Sequence, residues 1–503
     1  MTALGERPWF RFYEPGVPRT LTYPTTPLCN FLETSARKHP HHPAMILAAP
    51  TFHASISYRQ FHHLASRFAQ ALATLGVKPG DRVAVMLPNL PQYLIAVYGI
   101  LMAGAVVVQV NPLYRGRDLS FILKDSEAGI LITLTRLYPQ VETIRAQTDL
   151  EMVIVTTLQE FFPTTWRLLY TWLKEKKEGD YLPRTTPVLW FGDLLAKASP
   201  QPHPVPVRRE DTAVLQYTGG TTGIPKAAVL THRNLVANIW QVRHWLTMLE
   251  EARDPFLVAL PLFHVYGLLA GNVAVATANT VILVLMRLFD ARAVAEAIRG
   301  FRPSFFPGVP AMYLAINQLK DVRRYNLSSI KACVSGAAAL PAEVQAQFER
   351  LTGGRLVEGF GLSEASPVTH ANPIGGIRKP GSIGVPLPDT DAAIIDLETG
   401  SRVLDPGEIG ELVVRGPQVM KAYWNAPEET RVTLRHGWLH TGDIARMDED
   451  GYFFIVDRKK DMILAGGFNI DPREIEEVLY QHPKVKEAVA LGVPDPYRGE
   501  TPK

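Results

Sequence analysis

Four short runs in the first third of the chain, RVAVML (82–87), VVVQV (106–110), ILITL (130–134) and MVIVT (152–156), are β-branched, almost wholly apolar and separated by helix-patterned segments. A strand apolar at every position must be covered on both faces. Alternation with helices supplies that cover, so these runs predict βαβ units around a mainly parallel sheet. A second set, AVLQY (213–217), FLVAL (256–260), TVILVL (280–285) and KACVS (331–335), repeats the pattern. The chain therefore reads as α/β, with two doubly wound subdomains over 1–205 and 206–366. Beyond about residue 367 short strands alternate with Gly, Pro and Asp turns, as in SIGVPLPDTDAAIID and GEIGELVVRG, which suits a small β-barrel-like subdomain over 367–456. A last piece, 457–503, is shorter than the ~50 residues of an independent domain and reads as the start of an incomplete one.

Composition narrows the class. A chain of 503 residues exceeds the size of a single core, which agrees with several units. The formal charge is only +3, with 52 basic and 49 acidic residues interspersed, so no nucleic-acid footprint is expected. Cys29 and Cys333 match no metal or redox spacing, and the N-terminal stretch lacks the apolar core of a signal peptide, which together suggest a cytoplasmic setting. The apolar run 93–110 nears the length of a bilayer span, but Gly99 and Gly104 interrupt it and 106–108 is β-branched; it predicts a buried helix followed by a buried strand. The run 268–286 is broken by Asn272, Thr277, Asn279 and Thr280 and reads the same way.

The most specific chemistry lies in YTGGTTGIPK (217–226), directly after a predicted strand. Gly219, Gly220 and Gly223 let the backbone curl so that successive N–H groups face a polyphosphate, Thr218, Thr221 and Thr222 add hydroxyl donors, and Lys226 adds a point charge. The P-loop pattern GxxxxGK[ST] is not met, because Lys226 follows Pro225 and precedes Ala227. A flexible Gly/Thr-rich surface turn is the competing account of the loop taken alone.

With its tail, YTGGTTGIPKAAVLTHRN resembles the phosphate-loop motif of the adenylate-forming superfamily, and further family motifs follow in the family's order. They are LPLFHVYGL (260–268), VSGAAALP (334–341), EGFGLSEASP (358–367), WLHTGD (438–443) and DRKKDMILAGGFNIDPREIEE (457–477). Collinear matches across nearly the whole chain are far more specific than any one motif. The wording is most similar to the long-chain fatty acyl-CoA synthetases, which implies that 457–503 begins a small mobile α+β C-terminal domain. The implied reaction is ATP-dependent activation of a fatty acid to acyl-AMP and transfer to coenzyme A, with ATP, Mg²⁺ and coenzyme A as partners.

The resemblance also implies roles. Glu364, with Thr222, is expected to hold Mg²⁺, since a hard cation prefers oxygen ligands, while Ser363 contacts the α-phosphate. Gly336, Ala337 and Ala338, with Glu358, Gly359, Phe360 and Gly361, are expected to enclose adenine; the family usually has tyrosine at Phe360, so stacking is kept and a hydroxyl contact is lost. Asp443 and Arg458 are expected on the ribose, and Lys460 at the hinge of the small domain, which brings Gly466 and Gly467 to a narrow pantetheine channel. His264 is expected beside the acyl carboxylate, and Tyr266, Leu268, Val309 and Met312 along an acyl tunnel, with plain core packing as the alternative for those four. Most members have glycine at Ala227, so a stiffer loop is expected. The family's adenylation lysine would lie beyond Lys503, so weak adenylate formation is expected of these residues alone.

One stretch stands outside the motifs. FFPTTWRLLYTWLKEKKEG (161–179) is aromatic and basic, with Trp166, Leu169, Tyr170, Trp172 and Leu173 able to share a helix face. Such a face suits peripheral contact with the inner side of a membrane, or else docking on the helix's own subdomain. Transfer to a carrier protein, or mere binding of nucleotide and fatty acid, stay open as alternative functions, and a homodimer is allowed.

Overall fold

The computed structural model describes residues 7–199, 205–218 and 225–458, and beyond them 463–465, 468–470, 475, 478–479, 485, 488–495 and 499–503. The four apolar runs become Arg82–Met86, Val106–Gln109, Ile130–Leu134 and Met152–Thr156, all in one eight-stranded sheet. Its order is Ala422–Tyr423, Lys226–Thr231, Thr212–Thr218, Val106–Gln109, Arg82–Met86, Ile130–Leu134, Met152–Thr156, Leu189–Trp190. From Thr212–Thr218 to Leu189–Trp190 every pairing is parallel, whereas Lys226–Thr231 and Ala422–Tyr423 add an antiparallel edge.

The run 93–110 is a buried helix, Pro91–Met102, turned at Gly104 (φ +72°) into Val106–Gln109. Gly99 lies against Phe68, whose ring carbon would stand 2.7 Å from an added Cβ, so the close approach of the helices Tyr58–Thr74 and Pro91–Met102 requires glycine. The run 268–286 likewise divides into the helix Val265–Ala276 and the strand Val281–Val284. No helix among the described residues is long and apolar enough to cross a membrane.

A second sheet runs His53–Ser57, Pro43–Ala48, Val281–Val284, Phe256–Leu257, then through parallel bridges at Phe305 to Ala332–Ser335, Arg355–Gly361, Val368–Ala371 and Val385–Pro386. Both sheets therefore draw strands from either side of residue 206, because hydrogen-bonded edges accept strands distant in sequence. Beyond it, Asp391–Ile395, Gly410–Arg415, Trp438–Met447, Leu434–Arg435 and Phe453–Arg458 form a five-stranded antiparallel sheet. Trp9, 2% exposed, packs edge-on to Phe453 at 6.2 Å and ties the N-terminal segment to that sheet. Ile463–Ala465, Phe468–Ile470, Gly492–Asp495 and Gly499–Pro502 make a further four-stranded antiparallel sheet. Cys29 and Cys333 are both buried and free.

Candidate active site

The glycine-rich loop leaves the strand Thr212–Thr218 and re-enters at Lys226–Thr231, so its ends face each other across an antiparallel pair. Thr218 sits opposite Lys226, and its hydroxyl donates to the Lys226 carbonyl at 3.4 Å. Gly219, Gly220, Thr221, Thr222 and Gly223 lie outside the described residues, as do Lys460, Gly466, Gly467 and the side chain of Arg458.

Around the described end of the loop the fold assembles a cluster that the motifs did not disclose. The two-residue strand Ala422–Tyr423 pairs with Lys226–Thr231, setting Tyr423 opposite Ala228. From there the Tyr423 hydroxyl donates to Glu364 Oε1 at 2.6 Å, and its ring lies 5.8 Å from the Lys226 ammonium. Burial, then the Glu364 charge, hold the phenol well above its ordinary pKa, so it stays a donor. Lys226 is 16% exposed in its side chain and stands 3.9 Å from Glu429. Asp125 fastens both sides of the cluster. It accepts from the Tyr217 hydroxyl at 2.6 Å through Oδ2 and from the Trp424 indole at 2.9 Å through its carbonyl.

Ser363 and Glu364 form a single 3₁₀ turn, anchored where Met420 N–H donates to the Glu364 carbonyl at 2.7 Å. No group of three or more His, Cys, Asp or Glu among the described residues could cage a metal. One half-buried carboxylate, joined through Tyr423 to the strand that leaves the phosphate-loop candidate, instead fits Mg²⁺, which keeps waters and takes most of its oxygens from a polyphosphate.

The predicted adenine segments come together on adjacent strands. Ala332–Ser335 pairs with Arg355–Gly361, placing Ser335 opposite Glu358, and Glu358 Oε2 accepts from Leu340 N–H at 3.2 Å. Gly336 is buried and Ala337 takes φ +68°, leaving Ala337 and Ala338 exposed at the strand end. Gly361 admits no side chain: an added Cβ would meet the Pro367 carbonyl oxygen at 2.3 Å. Phe360, half-buried, is edge-on to His370 at 6.1 Å, and His370 to Phe453 at 4.8 Å. Phe453 opens the strand whose last residue, Arg458, is the register partner of Asp443, so the two ribose candidates stand across from each other.

His264 caps the helix Val265–Ala276, its Nδ1 accepting from Tyr266 N–H at 3.3 Å. The residue is exposed by surface area, yet desolvation by the protein packed around it lowers its pKa and favours the neutral form, with hydrogen on Nε2 because Nδ1 accepts. Tyr266 donates its hydroxyl to the Val334 carbonyl at 2.8 Å, and its ring would lie 3.2 Å from a Cβ on Gly336.

Behind Tyr266 lies an apolar cavity whose walls include Leu269, Ala270, Val273, Trp245 and Phe305. Tyr266, Leu269, Ala270 and Val273 follow the i, i+3, i+4, i+7 spacing of one helix face. Leu268 is therefore turned away into the main core, and Val309 and Met312 pack in a separate cluster around Tyr313 and Phe306; of the four tunnel candidates only Tyr266 reaches the cavity.

Residues 32–424 match the AMP-binding enzyme family and 474–503 the AMP-binding enzyme C-terminal domain, so the chain belongs to the AMP-binding enzyme family. It is 44% identical over 503 residues to a long-chain-fatty-acid–CoA ligase of Bacillus subtilis, covering 99% of this chain and 88% of that one. A crystal structure of an anthranilate CoA ligase with anthranoyl-AMP superposes with TM-score 0.82 at 28% identity, covering 95% of this chain and 86% of the other. That of a long-chain-fatty-acid–CoA ligase from Archaeoglobus fulgidus gives 0.77 at 26% identity over 97% and 92%.

Proposed function

We infer that this chain is an AMP-forming acid–thiol ligase that activates a medium- or long-chain fatty acid with ATP and passes the acyl group to coenzyme A. The observation that carries the acyl half is the apolar cavity behind Tyr266, whose ring also borders Gly336 in the predicted adenine slot. An acid lying there would have its carboxylate at the nucleotide and its chain in a carbon-lined space of about 50 Å³, which would have to widen to take a long chain. The Bacillus subtilis relative, named for long-chain fatty acids, supports the same substrate class.

In the first step a carboxylate oxygen attacks the α-phosphorus of ATP and pyrophosphate leaves. Lys226 and the loop hydroxyls Thr218, Thr221 and Thr222 would bind the phosphates, with Ser363 at the α-phosphate. Glu364 would hold Mg²⁺ with Thr222; when bound, the ion neutralises charge on phosphoryl oxygens. Neutral His264, with hydrogen on Nε2, would orient the carboxylate. Glu358, Gly359, Phe360, Gly361 and the 336–338 segment would hold adenine, and Asp443 with Arg458 the ribose. In the second step the CoA sulfur attacks the acyl carbon, AMP leaves, and the thiol proton passes to solvent; Gly466 and Gly467 would border the pantetheine and Lys460 serve as hinge.

A panel of acids from acetate to oleate, assayed for AMP release with CoA, tests the reading, which requires highest kcat/KM at eight carbons or longer. Activity confined to aryl or short acids would remove the fatty-acid assignment. Failure to convert a supplied acyl-adenylate and CoA to acyl-CoA would remove the ligase itself.

A further inference from the structure

The stretch 161–179 forms the helix Thr164–Leu173, and its side chains divide differently from the single face read in the sequence. Trp166 stacks on Phe52 at 5.4 Å and Tyr170 meets Phe162 edge-on at 5.7 Å, so these two turn inward. Tyr170 also donates to Asp180, a fully buried carboxylate gripped by Arg136. The helix is thus bolted to the body through one side. Leu169 (43% exposed) and Leu173 (52%) border that side and, with Leu168 (64%) and Trp172 (84%) pointing away from the body, form an open apolar stripe.

Cations outnumber carboxylates around that stripe. Arg167, Lys174, Lys176 and Lys177 are exposed on or just after the helix. Arg287, paired with Glu178 at 2.5 Å, brings the 76%-exposed Leu288 alongside. The two neighbouring carboxylates are engaged within the protein, Glu178 with Arg287 and Glu175 with Gln159 at 2.7 Å.

We propose that this face docks on an anionic lipid bilayer, with Leu168, Leu169, Trp172 and Leu173 entering the headgroup–acyl boundary and the surrounding lysines and arginines meeting lipid phosphates. An apolar stripe with an outward tryptophan beside a cluster of exposed cations is the physical pattern of an interfacial helix, and the anionic surface is its charge complement. A second copy of the chain would instead set lysine against lysine. The proposal goes beyond the ligase reading and does not depend on it.

Co-sedimentation of the intact protein with vesicles of phosphatidylcholine, alone or mixed with phosphatidylglycerol, tests it. Binding is expected to the mixed vesicles and at least tenfold weaker to the neutral ones. Leu169→Gln with Trp172→Gln should lower partitioning at least tenfold, as expected for loss of two interfacial apolar side chains, and each Lys→Gln change at 174, 176 and 177 about fivefold. These positions are exposed, so melting temperature and turnover of a soluble short acid should stay unchanged, which separates failure here from failure of the ligase reading. No vesicle binding by the parent, equal binding by the variants, or a parent dimer that Trp172→Gln converts to monomer would each overturn it.

Discussion

Filling the cavity at Ala270 should shorten the acids this enzyme accepts while sparing the chemistry. Ala270 is 5% exposed and lies on the cavity face of the helix Val265–Ala276, four residues beyond Tyr266. In Ala270→Phe a phenyl ring would occupy room for roughly four methylenes, each worth about 0.8 kcal/mol of burial. The loss is then about 3 kcal/mol, roughly two-hundredfold in kcat/KM for palmitate, against little change for octanoate. Ala270→Val, with two added methyl carbons, should give a graded effect of about tenfold. Overpacking costs about 1–3 kcal/mol of stability, so melting temperature is read in parallel and kinetics are taken well below it. The assay is AMP release across even-numbered acids. A folded Ala270→Phe variant that loses activity equally on all lengths, or on none, would refute the placement of the acyl chain behind Tyr266.

Tyr423→Phe removes the donor to Glu364, a hydrogen bond to a charged group worth about 1.5–3 kcal/mol, and should slow adenylation roughly tenfold to a hundredfold. It should also shift the magnesium dependence of ATP binding measured by calorimetry, whereas unchanged magnesium dependence would make the contact merely structural. Gly361→Ala forces a Cβ to 2.3 Å from the Pro367 carbonyl and should lower the melting temperature by several degrees; an unchanged melt would show that the strand gives way. Buried His370 and His232 have pKa values lowered by burial to about 3 and about 4. Their unfolded forms protonate near pH 6.5, so stability present above that pH falls by roughly 1.4 kcal/mol per pH unit for each as pH drops toward those values. Denaturant titrations that are flat between pH 6.5 and pH 5 would contradict this.

The strand–helix alternation was legible because buried parallel strands must be apolar at successive positions, and the apolar runs at 82–87, 106–110, 130–134 and 152–156 could satisfy little else. What could not be read was which distant edges meet. The second sheet is made continuous by bridges through one residue, Phe305, which has no strand pattern of its own. Tyr423 was missed because it is 59 residues from Glu364 and reaches it from a strand only two residues long. Along the cavity helix the motif wording sets Tyr266 with Leu268, two positions away, but helical geometry groups it with Leu269, Ala270 and Val273. The facing of the helix Thr164–Leu173 was likewise hidden, since Trp166 and Tyr170 are as apolar as the residues left outside and only Phe52, Phe162 and Asp180 decide which side is covered.

The fate of the carboxylate oxygen tests the central claim most directly. With palmitate carrying ¹⁸O in both carboxylate positions, ATP, magnesium and CoA, attack on the α-phosphorus followed by thiol attack on the acyl carbon leaves one ¹⁸O in the AMP phosphate and one in palmitoyl-CoA. Mass spectrometry of AMP from the reaction should show that single label. Unlabelled AMP, or label in orthophosphate accompanied by ADP, would contradict an acyl-adenylate route.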